Sequence, residues 1–190
     1  MKNIPNILTV LRLLACPILI YLFEAEYNLW ILIIFILACL TDFFDGYLAR
    51  KGNYKTNFGK FLDPIADKAL ILTMCVLLII NSKLGIHIIP FYIIIIREII
   101  VSFLRFNLSR LNKNKVIDVS LLSKYKTFLQ MLAIGGVLSN TIFFHIWKIY
   151  NLDVTPDMYK YFVFFLIWIS AFVTIITGVQ HFKTYLKLKK

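Results

Sequence analysis

Four aspartates, Asp42, Asp45, Asp63 and Asp67, stand in or at the edge of two long apolar runs of the chain. A carboxylate at the centre of a spanning helix costs roughly 2.5–3.5 kcal/mol on insertion scales, so four of them require something that neutralises them. Asp42 and Asp45 are three residues apart, and Asp63 and Asp67 four apart. Each pair therefore falls on one face of a helix. Two such faces meeting would gather four hard oxygen ligands, a donor set for Mg2+ or Mn2+. Two divalent cations roughly 3.5–4 Å apart form a clamp suited to phosphoryl transfer. The plain alternative is salt bridging by Arg50, Lys60 and Lys68, which leaves the placing of acids on two facing helices unexplained.

The residues between the acids fit the same chemistry. Gly46 directly follows Asp45, and Gly59 lies one turn before Asp63. Glycine within a helix is unfavourable by about 1 kcal/mol relative to alanine, but the missing side chain lets a ligand or a neighbouring backbone come close. Ala49, one turn after Asp45, extends the same smooth floor. Arg50 offers a planar cation suited to phosphate oxygens; an arginine snorkelling to the membrane surface is its other reading. Pro64 restricts Asp63 and predicts either a kink or the start of the third helix there.

Taken in order, Asp42-x2-Asp45-Gly46-x2-Ala49-Arg50-x8-Gly59-x3-Asp63-x3-Asp67 resembles the signature of the CDP-alcohol phosphatidyltransferase family at all eight of its fixed positions. The resemblance implies a six-helix membrane enzyme, usually a homodimer, that displaces CMP from a CDP-alcohol. It implies that Asp42 and Asp63 each touch both of two divalent cations, Mg2+ or Mn2+, and that Asp45 completes one metal site. Asp67 would complete the other and act as the catalytic base. Gly46, Arg50 and Thr56 would contact the CDP moiety, with Ala49 and Gly59 beside them.

The signature leaves the acceptor open, and flanking stretches bear on it. Ile4-Pro5-Asn6-Ile7-Leu8-Thr9-Val10-Leu11-Arg12 resembles the opening of the branch of the family that uses sn-glycerol 3-phosphate, where Asn6 and Thr9 would lie near the cytidine. Capping of the first helix by Asn6 after Pro5 explains those residues equally well. Arg97-Glu98 and Arg105 share roughly one face of the fourth run, and Lys124, Lys126, Thr127 and Gln130 open the fifth. Both stretches resemble the same branch. A small dianion suits a pocket of Arg97, Arg105, Lys124 and Lys126, with Glu98 orienting one of the cations. The other reading makes Arg105, Lys124 and Lys126 ordinary cytoplasmic anchors. The expected reaction is transfer of the phosphatidyl group of CDP-diacylglycerol to glycerol 3-phosphate, giving phosphatidylglycerophosphate and CMP. Rivals are an inositol phosphate or serine acceptor, a divalent-cation carrier, and a catalytically silent scaffold.

The elements that must position these residues follow from hydropathy. The chain has 190 residues, 60% hydrophobic, with a mean hydropathy of +0.79, against roughly 45–50% apolar in a soluble domain. Crossing a bilayer takes about 20 mostly apolar residues. Six runs of that length appear: Asn6 to Phe23, Tyr27 to Leu48, Phe61 to Ile80, Ile86 to Phe106, Phe128 to Trp147 and Tyr159 to Phe182. With short connections and no repeat or low-complexity linker, residues 1–190 read as one all-α, polytopic membrane domain, a six-helix transmembrane bundle. The runs are continuous rather than alternating, which excludes a β-barrel.

Most lysines and arginines outside the runs fall on the side that holds both termini, while the other side has only Lys83, Lys148 and Lys160. The positive-inside bias then places both termini and the active site in the cytoplasm, in a cell (inner) membrane. The net charge of +11 suits membrane lipids with anionic headgroups, and no nucleic acid partner is expected. Arg12 interrupts the first run, which reads as a retained helix rather than a cleaved signal. Cys16, Cys39 and Cys75 lie within runs without metal-ligand spacing. His87, His145 and His181 show no partner spacing and receive no role. Asn112 to Ser120 reads as a polar cytoplasmic loop.

Overall fold

The computed structural model describes residues 4–51, 57–81, 88–111, 121–150 and 153–189. Six α-helices account for nearly all of them: α1 (Ile4–Glu24), α2 (Asn28–Lys51), α3 (Asn57–Ile80), α4 (Ile89–Leu111), α5 (Leu121–Tyr150) and α6 (Pro156–Lys189). There is no strand among the described residues. Each apolar run lies almost entirely within its own helix, and the helices overrun them at most ends. α3 begins at Asn57 rather than at Pro64, so the proline does not start the helix. α1 begins at Ile4, which puts Asn6 inside its first turn instead of at a cap. Thr56 and the stretch from Asn112 to Ser120 lie outside the described residues.

The helices close into a ring. α1 packs on α2 and α3, α2 on α5, α5 on α6, α6 on α4 and α4 on α3, while α3 also touches α5 across the middle. Leu19, Phe35, Leu70, Met74, Phe91, Ile94, Ile134, Val137 and Ile167, from all six helices, fill the interior. The outer faces are also apolar: on α4, Ile96, Ile99, Ile100 and Phe103 point outward, and on α6 Phe162, Phe165, Phe172 and Val179 do. Helices apolar all round belong to a core or to a membrane. Among the described residues, three helices are long and apolar enough to cross one, over Ile7–Glu24, Tyr125–Tyr150 and Pro156–Leu188. α4 carries Arg97, Glu98 and Arg105 within its apolar length, which lowers its hydropathy.

Close approach at the α5–α6 contact depends on a small residue. A Cβ at Gly136 would stand 3.3 Å from Val163 Cγ2. Nearby, Tyr159 shares a 2.7 Å hydrogen bond with Ser139 and stacks on Phe143 with ring centroids 4.2 Å apart. The α1–α2 turn is tight, with Glu26 in the left-handed region (φ 58°) and Tyr27 N–H donating to Leu22 O at 3.1 Å.

Candidate active site

The polar residues of this apolar bundle converge where α4, α5 and α6 meet. α4 contributes Arg97 and Glu98, α5 contributes Lys126 and α6 contributes Thr177, all buried. Arg97 Nη1 donates to Glu98 Oε1 at 3.0 Å, and Lys126 Nζ donates to the same oxygen. Arg97 Nη2 donates to Thr177 Oγ1 at 2.9 Å. Lys126 is only 6% exposed. A lysine sunk that far into a protein is an interior cation held by its partner, not a surface anchor.

One turn further along α6, His181 (5% exposed) brings Nε2 to 3.2 Å from Ser123 Oγ on α5 and 3.4 Å from Arg105 Nη2 on α4. Deeper in the bundle Gln130 Nε2 donates to Thr174 Oγ1 at 2.9 Å. Ser170, Thr174, Thr177 and His181 thus form a polar stripe at helical spacing along the inner face of α6, where apolar side chains would otherwise be expected. Gly178 sits beside this stripe and makes room for Arg97, since a Cβ there would stand 3.1 Å from Arg97 Cγ.

Charge does not balance within the cluster. Among the described residues, Arg97 and Lys126 share one carboxylate, Glu98, and Arg105 pairs with none. The buried Nε groups of Arg97 and Arg105 find no acceptor there either. Uncompensated buried charge is costly by several kcal/mol. Guanidinium groups with unused donors are suited to carboxylate or phosphate oxygens. The described side chains of the cluster thus carry donors of the kind that bind anions.

The pocket is fastened to the helix that carries Asp63 and Asp67. Lys68, next to Asp67 in the chain, donates from Nζ to Ser102 Oγ on α4, and Ser102 Oγ donates to the Glu98 carbonyl at 2.5 Å. Asp42, Asp45, Gly46, Ala49 and Arg50 stand on α2, and Gly59, Asp63 and Asp67 on α3. Their side chains, with those of Asn6 and Lys124, lie outside the described ones. Four carboxylates carried on two continuous helices are the residue types that hard divalent cations take as ligands. Thr9 and Arg12 are fully buried on the inner side of α1, the helix that packs against both α2 and α3.

Of the residues expected from sequence to bind the acceptor, Arg97, Arg105 and Lys126 come together, and Glu98 holds two of them, Arg97 and Lys126, where one was expected. Sequence reasoning missed Ser102, Ser123, Thr177 and His181, and named Lys68 only as an alternative counter-charge for the aspartates. For Thr177 and His181 a signal existed in the Ser170–Thr174–Thr177–His181 spacing; for Ser102 and Ser123 the residue type carried none.

Comparison with known proteins agrees with this arrangement. The sequence profile described as CDP-alcohol phosphatidyltransferase matches residues 2–177. A protein of Rickettsia typhi is 42% identical over 191 residues, covering 96% of this chain and 97% of its own. One of Wigglesworthia glossinidia brevipalpis is 43% identical, covering 90% and 97%. One of Cereibacter sphaeroides is 38% identical, covering 99% of each. All three bear the name CDP-diacylglycerol–glycerol-3-phosphate 3-phosphatidyltransferase. With the signature carried on α2 and α3 and the profile spanning nearly the whole chain, this protein belongs to the CDP-alcohol phosphatidyltransferase family.

Proposed function

We propose that the protein transfers the phosphatidyl group of CDP-diacylglycerol to sn-glycerol 3-phosphate, releasing phosphatidylglycerophosphate and CMP. The observation that carries the acceptor is the gathering of Arg97, Lys126 and Arg105 where, among the described side chains, one carboxylate, Glu98, engages the first two and none engages the third. A phosphate dianion supplies the charge that this pocket lacks, which a zwitterionic acceptor such as serine does not. The names borne by the similar proteins support the same reading.

The signature residues take these roles. Asn6, Thr9, Gly46, Ala49, Arg50, Thr56 and Gly59 bind the CDP-lipid. Asp42, Asp45, Asp63 and Asp67 hold two divalent cations, Mg2+ or Mn2+, which when bound stabilise charge on the pyrophosphate. Arg97, Arg105, Lys124 and Lys126 bind the acceptor phosphate and so orient its free hydroxyl. Asp67 takes the proton from that hydroxyl as its oxygen bonds to the phosphorus carrying the diacylglycerol. The bond from that phosphorus to CMP breaks. Positioning of the two reactants supplies much of the rate.

All six helices cross the membrane in this reading, with both termini and the active site on the cytoplasmic side of the cell membrane. The placing of the basic residues supports that orientation, and resemblance to the family supports a homodimer. Detergent-purified protein given CDP-diacylglycerol with glycerol 3-phosphate, inositol phosphate or serine tests the acceptor. CMP release with glycerol 3-phosphate is expected; release with serine but not glycerol 3-phosphate would overturn the assignment.

A further inference from the structure

α6 holds two arginines of α4, Arg97 and Arg105, in parallel. Thr177 accepts from Arg97 Nη2 at 2.9 Å, and His181, one turn on, faces Arg105 Nη2 at 3.4 Å. Both α6 partners can be neutral, but the charges of the two arginines are differently compensated. Arg97 also pairs with Glu98, whereas Arg105 meets no carboxylate among the described residues.

We propose that His181 is a positioning residue that tethers Arg105 through a neutral acceptor, so that the guanidinium keeps its full charge for the acceptor's phosphate. An arginine N–H can only donate, so a bond between the two requires His181 Nε2 to offer its lone pair. The ring is then the neutral tautomer with its proton on Nδ1. Ser123 Oγ, 3.2 Å from the same nitrogen, supports the ring from α5. A carboxylate at this position would grip Arg105 as firmly but would cancel its charge. The imidazole engages one N–H and leaves Nε, buried and without an acceptor, and Nη1 for phosphate oxygens.

The inference rests on the glycerol 3-phosphate reading, and its test separates the two. Wild-type protein and the variants His181→Gln, His181→Ala and His181→Glu are purified in detergent. KM is measured for glycerol 3-phosphate and for CDP-diacylglycerol, together with kcat and thermal stability. Gln keeps a neutral acceptor, and its KM for glycerol 3-phosphate is expected within about 3-fold of wild type. Ala loses the tether and should raise that KM ~10-fold, leaving kcat and the KM for the CDP-lipid nearly unchanged. Glu keeps the tether and cancels the charge; the expected rise is ~100-fold without loss of thermal stability.

A purely structural His181 predicts the opposite order, with Glu tolerated and Ala harmful to both substrates alike. Either that result or three unchanged KM values would overturn the inference while leaving the glycerol 3-phosphate reading standing. A wild-type protein inactive with glycerol 3-phosphate would bring down both.

Discussion

Lys68 on α3 and Ser102 on α4 are joined by a hydrogen bond, and Ser102 passes it on to the Glu98 carbonyl. The helix that carries Asp63 and Asp67 is thereby held in fixed register with the cationic pocket. Ser102→Ala removes the relay at a cost of about 1 kcal/mol in stability. Because it also loosens one reactant's site against the other's, kcat should fall several-fold more than stability alone explains. Steady-state kinetics beside thermal unfolding in the same detergent checks this, and equal KM and kcat in the variant would refute it.

Glu98 is the carboxylate between two interior cations. Glu98→Gln leaves Arg97 and Lys126 without their counter-charge and is expected to destabilise the protein by about 3–5 kcal/mol. Adding Lys126→Gln should recover part of the loss, since the two residues are directly coupled. Thermal unfolding of the single and double variants measures that coupling.

Gly178 and Gly136 make a matched pair of tests on the pocket and its scaffold. A Cβ at 178 would press on Arg97 Cγ at 3.1 Å, and one at 136 on Val163 Cγ2 at 3.3 Å. Alanine gains about 1 kcal/mol of helix propensity at either position, which offsets part of the crowding. Gly178→Ala should therefore change stability by under about 1 kcal/mol yet raise the KM for glycerol 3-phosphate, by displacing Arg97. Gly136→Ala should leave that KM untouched. Kinetics and unfolding of the two variants side by side decide it.

Chelation of divalent cations with EDTA should abolish CMP release, and Mg2+ or Mn2+ should restore it. Asp67→Asn should be inactive even with saturating metal while still binding the CDP-lipid, as measured by retention of a labelled CDP-diacylglycerol. Full activity in that variant would remove Asp67 from the role of base.

Much of this architecture was legible in the chain because hydropathy and helix periodicity act locally. Each apolar run had to become a helix, and Arg97, Glu98 and Arg105, placed among isoleucines and phenylalanines, had to find partners inside. Which residues would answer them depends on how six helices close into a ring, and no local pattern encodes that. Lys68 entered only in the alternative reading, as a counter-charge for the aspartates; its bond to Ser102 across the α3–α4 contact is set by packing. His181 looked isolated because its partners Ser123 and Arg105 are remote in sequence. The run limits also fell short at α3 and α5, where Lys60, Lys124 and Lys126 interrupt the apolar pattern without interrupting the helix.

α6 has 34 residues and so extends about 51 Å, well beyond a hydrocarbon layer of about 30 Å. His181 lies about 38 Å along it from Pro156, so a hydrocarbon layer of about 30 Å that began within a turn or two of Pro156 would end near His181. At that depth the two reactants can arrive from different phases. The lipid donor diffuses in two dimensions and never leaves the bilayer, while the sugar phosphate comes from bulk water and never has to dissolve in oil. A pocket set a turn or two deeper would leave the soluble reactant stranded, and one set higher would ask the lipid to climb out.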